Sequence, residues 1–250
     1  MTVLKKWLNK IRKVLDGHGY VCDGCGREIF HYPEKRLCAD CEKKLTRINE
    51  RACPKCGRQG ISDGVCLTCK SRAPKFTRGF SPFVYCGKGA SFINRVKNGN
   101  PRLALYFGEE MADCFARRYT GTKDTPLLLV FVPMTESGMR ARGYNQAERL
   151  AESVETRLRE RGFSVETDGE ILQKNRDTAQ QKKMDASSRA DNVAGAYRVH
   201  KRAACRGKTL LLVDDNMTTG ATGSECARHL LAAGAKEVYF LTAVSLPEQK

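Results

Sequence analysis

Apolar positions follow two regimes along this chain. From about residue 80 onward, short continuous apolar runs alternate with stretches of helical period. Leu127 to Val132 is a run of strand length that ends at Pro133. Thr209 to Val213 is a second, with four apolar residues from Leu210, and Glu237 to Val244 is a third. Continuous runs, as opposed to alternating ones, fit strands covered on both faces, as in a parallel sheet. Between the first two runs, Ala147, Leu150, Ala151, Val154 and Leu158 form one stripe, which predicts a helix from Gln146 to Arg161 with Gly162 as its stop. Asn145, with Glu148 three residues later, fits the N-cap of that helix. A further helix is expected from Ala221 to Ala233, closed by Gly234. Repeated strand–helix alternation predicts an α/β domain over residues 80–250, a mostly parallel central sheet flanked by helices. Ligands of such sheets bind at the carboxyl ends of the strands.

The first part of the chain lacks this rhythm. Leu4, Trp7, Leu8, Ile11, Val14 and Leu15 mark one face of an amphipathic helix over residues 1–20, with basic residues opposite. Such a stripe reads as docking onto its own domain; a membrane-surface helix is the alternative. Over residues 21–75 the pattern is set by cysteine. Four CxxC pairs, Cys22/Cys25, Cys38/Cys41, Cys53/Cys56 and Cys66/Cys69, are separated by 12, 11 and 9 residues. Each CxxC turn presents two sulfurs to one metal, and two turns complete a tetrahedral shell around Zn²⁺. Gly24, Gly26, Pro54 and Gly57 supply the tight backbone of such turns. Two zinc ribbons result if the pairs combine sequentially, Cys22, Cys25, Cys38 and Cys41 on one ion and Cys53, Cys56, Cys66 and Cys69 on the other. A cross-braced pairing of the first and third pairs is also compatible with the spacing. Neither arrangement leaves an open ligand position, so both sites read as structural. Disulfides would suit an exported chain, whereas Lys5, Lys6, Lys10, Arg12 and Lys13 interrupt every apolar core that a signal peptide would need. Cys86, Cys114, Cys205 and Cys226 are scattered and are expected in the core.

Composition adds bounds. The 250 residues are 41% hydrophobic, and no apolar stretch approaches the roughly 20 residues of a membrane span, so a cytoplasmic protein is expected. The formal charge is +16, of which +10 falls within residues 1–79. Two Zn²⁺ held by eight thiolates would lower that local excess to about +6, which leaves a moderate attraction for an anionic partner such as single-stranded DNA.

The densest chemistry lies at Leu210–Thr222, LLLVDDNMTTGAT. A buried strand leads to the carboxylates Asp214 and Asp215, and then to Thr218, Thr219, Gly220, Ala221 and Thr222 at the start of a helix. Backbone N–H groups at a helix N-terminus attract phosphate, and Gly220 admits close approach of the backbone. The acidic pair can accept hydrogen bonds from a ribose diol, directly or through Mg²⁺.

This run resembles the signature of the type I phosphoribosyltransferases, which bind 5-phosphoribosyl-1-pyrophosphate (PRPP). Val132-Pro133 followed by Met139-Arg140-Ala141-Arg142-Gly143-Tyr144-Asn145-Gln146 is similar to the "VP…RxRGFNQ" stretch of ComF-type proteins, and Gln180, Arg189, Asn192, Val193 and Gly195 resemble that family's "Q…R..NV.G" segment. The resemblance implies a type I phosphoribosyltransferase fold behind a small double zinc ribbon, and a Mg²⁺-dependent transfer of phosphoribosyl with pyrophosphate release. It assigns Asp214 and Asp215 to the ribose diol and Mg²⁺, Thr218 to Thr222 to the 5′-phosphate, and Arg140 and Arg142 to the pyrophosphate. Gln180 to Arg189 would then form a lid over PRPP. Family members are linked to natural competence, which implies competence-machinery proteins and single-stranded DNA as partners, and a non-catalytic PRPP-sensing or DNA-binding module as the alternative to an enzyme. Thr218 stands where purine-using relatives often carry an acid, so the acceptor is left unnamed.

Overall fold

A computed structural model describes residues 21–30, 35–60, 64–174 and 195–248. The helix expected over residues 1–20 and the lid expected at Gln180–Arg189 lie outside the described residues, as do Asn192 and Val193. The chain divides after Leu45 into two compact units, Met1–Leu45 and Thr46–Lys250. That division falls within the 21–75 segment that the cysteine pattern marks as one ribbon domain, because the second ribbon has become part of the larger unit's core.

In the smaller unit, Cys22 to Arg27 form a tight turn closed by Cys22 N–H to the Arg27 carbonyl at 2.7 Å, and α1 (Ala39–Lys43) starts after Cys38 and carries Cys41. The second ribbon repeats this plan. Its turn is closed by Cys53 N–H to the Arg58 carbonyl at 2.9 Å, and α2 (Leu67–Ser71) follows Cys66.

The larger unit is built on a parallel sheet. Its strands are β1 (Arg78–Phe80), β2 (Phe83–Val84), β3 (Leu127–Phe131), β4 (Val165–Thr167), β7 (Thr209–Met217) and β8 (Glu237–Ser245), in the spatial order β1-β8-β7-β3-β4. β2 continues the β1 edge by pairing with the far end of β8, Phe83 opposite Val244. β7 lies between β3 and β8, with Leu128 opposite Leu210 and Leu212 opposite Phe240. The three apolar runs of the sequence are thus the three central strands, where a strand has neighbours on both sides and cover on both faces.

Four longer helices supply most of that cover: α3 (Gly87–Lys97), α4 (Pro101–Arg118), α6 (Gln146–Glu160) and α8 (Ala221–Ala232), with the short α5 (Glu136–Arg142) between β3 and α6. α4 and α6 pack on each other, and α6 lies against β3, β4 and β7. α8 packs against β7 and β8 together with β6 (Tyr197–Val199), which pairs antiparallel with β5 (Leu172–Lys174) as a separate two-stranded ribbon. This antiparallel piece breaks the βα rhythm and is too short to announce itself by periodicity. A single-turn helix, α7 (Arg202–Cys205), leads into β7.

Helix α6 begins and ends within one residue of its sequence-based bounds. Asn145 caps it by accepting from Ala147 N–H at 3.0 Å, and Gly162, at φ 83°, turns the chain away. Strand β7 is longer than expected. It runs through Met217, so Asp214 and Asp215 lie inside its last turn of pleat and not after its end. The reason is its central position: β8 continues alongside and offers backbone partners as far as Ser245. Three of the four scattered cysteines, Cys114, Cys205 and Cys226, are buried as expected, but Cys86 is exposed, at the N-cap of α3.

The core face beneath α8 joins Leu128, Val130, Leu210, Leu212, Phe240, Leu230 and Cys226 to Phe76 and all four cysteines of the second ribbon. The ribbon is fastened to the sheet by backbone. Gly79 N–H on β1 donates to the Lys55 carbonyl at 2.8 Å, and a Cβ on Gly57 would lie 2.3 Å from the Gly79 carbonyl oxygen. Only glycine fits there, both for its φ of 76° and for its lack of a side chain. On the other side, Glu248 N–H donates to the Gln59 carbonyl at 2.8 Å and its carboxylate accepts from Leu67 N–H at 2.6 Å.

Candidate functional site

The strand order sets where a ligand can sit. From β3 the chain passes outward to β4, whereas from β7 it passes the other way to β8, so β3 and β7 are neighbours whose onward connections diverge. Such a point leaves a crevice at the carboxyl ends of the two strands. The expected site residues come from both sides of it: Asp214, Asp215 and the 218–222 loop from β7, Arg140 and Arg142 from α5 after β3.

Pleat alternation sends the two carboxylates to opposite faces of the sheet. Asp214 shares a face with Leu210 and Leu212, near Tyr197 and Cys226, and it accepts from Asp215 N–H at 2.9 Å. Burial, reinforced by the neighbouring Asp215 charge, holds its carboxyl well above the usual carboxylate range. Asp215 points the other way and meets Lys97 Nζ, at the last residue of α3, at 2.7 Å. Its Oδ2 is buried and has this ion pair but no well-aligned hydrogen bond. Among the described residues, the two adjacent buried carboxylates thus have one ion-pairing partner, Lys97. Donors such as ribose hydroxyls, or a divalent cation, fit that deficit of positive charge. Lys97 carries no motif signal of its own; its position is set by the packing of α3 against the sheet.

Beyond Met217 the loop turns at Gly220, which has φ 83° and serves as the N-cap of α8. A Cβ there would meet nothing closer than Met217 Sδ at 3.7 Å, so the glycine is demanded by conformation and not by space. Gly220 has no side chain to cap α8, and Thr219 Oγ1 accepts from Ala221 N–H at 3.3 Å. The open first turn of a twelve-residue helix is a ready anion site. The Thr218 carbonyl is held by Arg58 Nη2 of the second ribbon at 3.0 Å. Beside the loop, a cavity of about 160 Å³ is lined by Arg58, Arg72, Phe76, Thr219, Gly220 and Ser224, among others.

The arginine segment is ordered by its own contacts. Thr135 Oγ1 accepts from Gly138 N–H at 3.2 Å and starts α5; Gly143, at φ 79°, ends it. Tyr144 Oη accepts from Gly99 N–H at 3.0 Å, and Asn145 Nδ2 donates to the Val132 carbonyl at 3.1 Å. Asn145 therefore both caps α6 and ties the segment back to the end of β3. Arg142 donates to Gln146 Oε1 at 2.9 Å, while the exposed Arg140 lies 3.5 Å from Glu136. Neither guanidinium contacts the acidic pair; the RGYNQ run acts first as a clamp on the loop that carries them.

The eight ribbon cysteines form two sets, Cys22 with Cys25, Cys38 and Cys41, and Cys53 with Cys56, Cys66 and Cys69, the sulfurs of each within 4.8 Å of one another. The sequential pairing is therefore the one adopted. Cys25 and Cys38 Sγ are 3.7 Å apart, as are Cys56 and Cys66 Sγ. Four sulfurs about 2.3 Å from a tetrahedral ion stand about 3.8 Å apart, so both sets fit structural zinc. Cys38 N–H donates to Cys22 Sγ at 3.2 Å and Cys66 N–H to Cys53 Sγ at 3.4 Å. Burial first, and the neighbouring thiols next, push the Cys41 and Cys69 thiols up, so four thiolates at one point call for a cation to hold them.

Residues 16–70 match the double zinc ribbon domain, and residues 140–250 match the phosphoribosyl transferase domain. Over 211 residues, 81% of this chain and 87% of that protein, the sequence is 28% identical to the DNA utilization protein YhgH of Escherichia coli K12. It is 25% identical to the competence protein ComFC of Bacillus subtilis over 209 residues, 81% of this chain and 80% of that protein. The chain matches the ComFC and YhgH proteins of the ComF type. Among solved structures, the allosteric regulatory enzyme of purine biosynthesis aligns at 18% identity and a TM-score of 0.37, covering 62% of this chain but only 30% of that one. The ComF-type match and the parallel sheet agree on a type I phosphoribosyltransferase-like fold with an N-terminal zinc-ribbon region. Among the described residues no helix is long and apolar enough to cross a membrane.

Proposed function

We propose that this protein binds PRPP with Mg²⁺ at the β3/β7 crevice and transfers the phosphoribosyl group to an acceptor with release of pyrophosphate. The observation that carries this reading is the juxtaposition of two buried carboxylates, one of them paired with Lys97, with a helix N-terminus whose cap residue, five positions later, is glycine. Asp214 and Asp215 would accept from the ribose diol and hold Mg²⁺. Thr218, Thr219, Gly220, Ala221 and Thr222 would surround the 5′-phosphate with backbone N–H and hydroxyl groups. Arg140 and Arg142 would face the pyrophosphate, where two guanidiniums stabilise charge that grows as the C1–O bond breaks. The bonding pair leaves with pyrophosphate, the acceptor's nucleophile bonds C1, and its proton passes to solvent. Bound Mg²⁺ would supply charge neutralisation for the pyrophosphate oxygens. The Gln146 contact of Arg142 orients that side chain, whereas Arg140 is exposed and lies 3.5 Å from Glu136.

The relatives' names speak of DNA utilization and competence, and the basic excess of residues 1–79 suits an anionic polymer. A second reading follows, in which a PRPP-sensing or single-stranded-DNA-binding module serves DNA uptake without turnover. Calorimetry with PRPP and Mg²⁺ tests the first: wild type should bind, and Asp215→Ala should bind at least about tenfold more weakly through loss of charged hydrogen bonds. Equal binding by both would sink the site. Titration with single-stranded DNA at rising salt tests the second, which requires a steep loss of affinity with salt.

A further inference from the structure

Arg58 is a cation in an unusual place. It is 5% exposed, its Nη2 donates to the Thr218 carbonyl at 3.0 Å, and its Nε is buried without a hydrogen-bond partner. It lines the cavity beside Thr219 and Gly220 and follows Cys56 by two residues. Its backbone belongs to the metal turn itself, because Cys53 N–H donates to the Arg58 carbonyl at 2.9 Å and Gly57 N–H to the Cys53 carbonyl at 2.8 Å. The turn cannot shift alone, since Gly57 rests on Gly79 with no room for a Cβ. A buried guanidinium is costly unless an anion is near. Four thiolates around one Zn²⁺ carry a net charge of about −2 and supply that anion next to it.

We infer that Arg58 is a positioning residue for the phosphate loop, and that metal held by Cys53, Cys56, Cys66 and Cys69 sets the loop's affinity for a phosphoribosyl ligand. The second ribbon is then a part of the ligand site: the metal turn fixes Arg58, and Arg58 fixes the Thr218 carbonyl. With that carbonyl held, the loop is anchored between the end of β7 at Met217 and the first turn of α8 at Ala221. Without it, the peptide after Met217 loses the Arg58 anchor from the ribbon. The inference rests on the PRPP reading of the same loop, yet it concerns a residue outside the loop, the acidic pair and the arginine segment.

The test compares wild type, Arg58→Gln, Arg58→Lys, Cys69→Ser and Asp215→Ala. PRPP with Mg²⁺ is titrated by calorimetry, zinc content is measured on each protein, and backbone hydrogen exchange is followed across residues 218–224. Arg58→Gln is expected to keep two zinc ions per chain, to bind PRPP about tenfold more weakly, and to exchange faster in the loop even without ligand. Arg58→Lys should recover part of the affinity, because an ammonium still reaches a carbonyl with one donor. Cys69→Ser should lose one zinc and show the same loop exchange as Arg58→Gln. If Arg58→Gln does not fold or loses zinc, Arg58→Lys decides: wild-type loop exchange and affinity in it would count against a guanidinium-specific anchor. The inference is overturned if Arg58→Gln with both zinc ions binds PRPP within twofold of wild type while Asp215→Ala fails to bind. Wild-type binding by Asp215→Ala would instead overturn the PRPP reading, and the loop exchange of Arg58→Gln would still decide the role of Arg58.

Discussion

The two zinc ribbons share a sequence plan and differ in what surrounds them. Each has a CxxC turn ending in glycine, a second CxxC pair and a short helix after its third cysteine. In the first set Cys25 is exposed; in the second all four cysteines are buried and continuous with the core beneath α8. The equivalent glycines make the contrast plain. Gly26 and Gly57 have φ of 75° and 76°, yet a Cβ on Gly26 meets nothing within 4 Å whereas one on Gly57 meets the Gly79 backbone at 2.3 Å. A local motif thus fixes the turn and the metal, and says nothing about whether the turn stands free or is built into a neighbour. The second ribbon has become a wall of the larger unit.

That difference can be broken most directly at the metal. Cys69→Ser should lower the main thermal unfolding transition by 10 °C or more, on the order of 3 kcal/mol or above for a unit of this size. Cys41→Ser should release one zinc and leave that transition in place. Equal shifts in the two variants, read by scanning calorimetry, would mean that the ribbons are energetically alike.

The glycine pair gives a sharper and somewhat smaller contrast. Gly26→Ala should cost about 1 kcal/mol for the left-handed backbone alone. Gly57→Ala adds a clash with backbone that cannot turn aside, for a total of about 3 kcal/mol or more in urea denaturation. Similar midpoints for both would show that β1 can move away from the ribbon.

The smallest effect concerns the short helices that carry the last cysteine of each ribbon. Helix α2 has no local side-chain cap, and its Leu67 N–H is satisfied by Glu248 from 181 residues away. Glu248→Ala should therefore cost about 1–2 kcal/mol. Asp40, in the first turn of α1, pairs with Arg27 at the surface, and Asp40→Ala should leave the denaturation midpoint unchanged. A midpoint shift for Asp40→Ala as large as that for Glu248→Ala would erase the distinction.

Much of the larger unit was legible because its signals are local. Continuous apolar runs marked β3, β7 and β8, and Asn145 and Gly162 bounded α6 within a residue. The cysteine spacing marked both metal sets, and folding decided between sequential and crossed pairing. The end of β7 lies beyond the expected one because Asp214 and Asp215 look like the start of a loop, while strand pairing with β8 carries the sheet past them. Cys86 was expected inside and lies at an exposed helix start, a matter of which face the chain happens to present. Lys97, Arg58 and Tyr197 had no signal at all. Each acquires its place only when a distant element is brought to β7.

The sequence by itself determined the α/β rhythm, the eight metal-binding sulfurs and the run of acid, hydroxyl and glycine at Asp214–Thr222. These depend on periodicity and on chemistry within a few residues, and both can be read along a line. Tertiary structure alone decided that β3 and β7 are neighbours with diverging connections, that Lys97 meets Asp215, and that the second ribbon reaches the phosphate loop through Arg58. The last contact spans 160 residues. It exists because burying the second ribbon on the sheet brings its metal turn beside the end of β7, and side chains at such a junction are chosen by packing and charge across the fold, with no period along the chain to betray them.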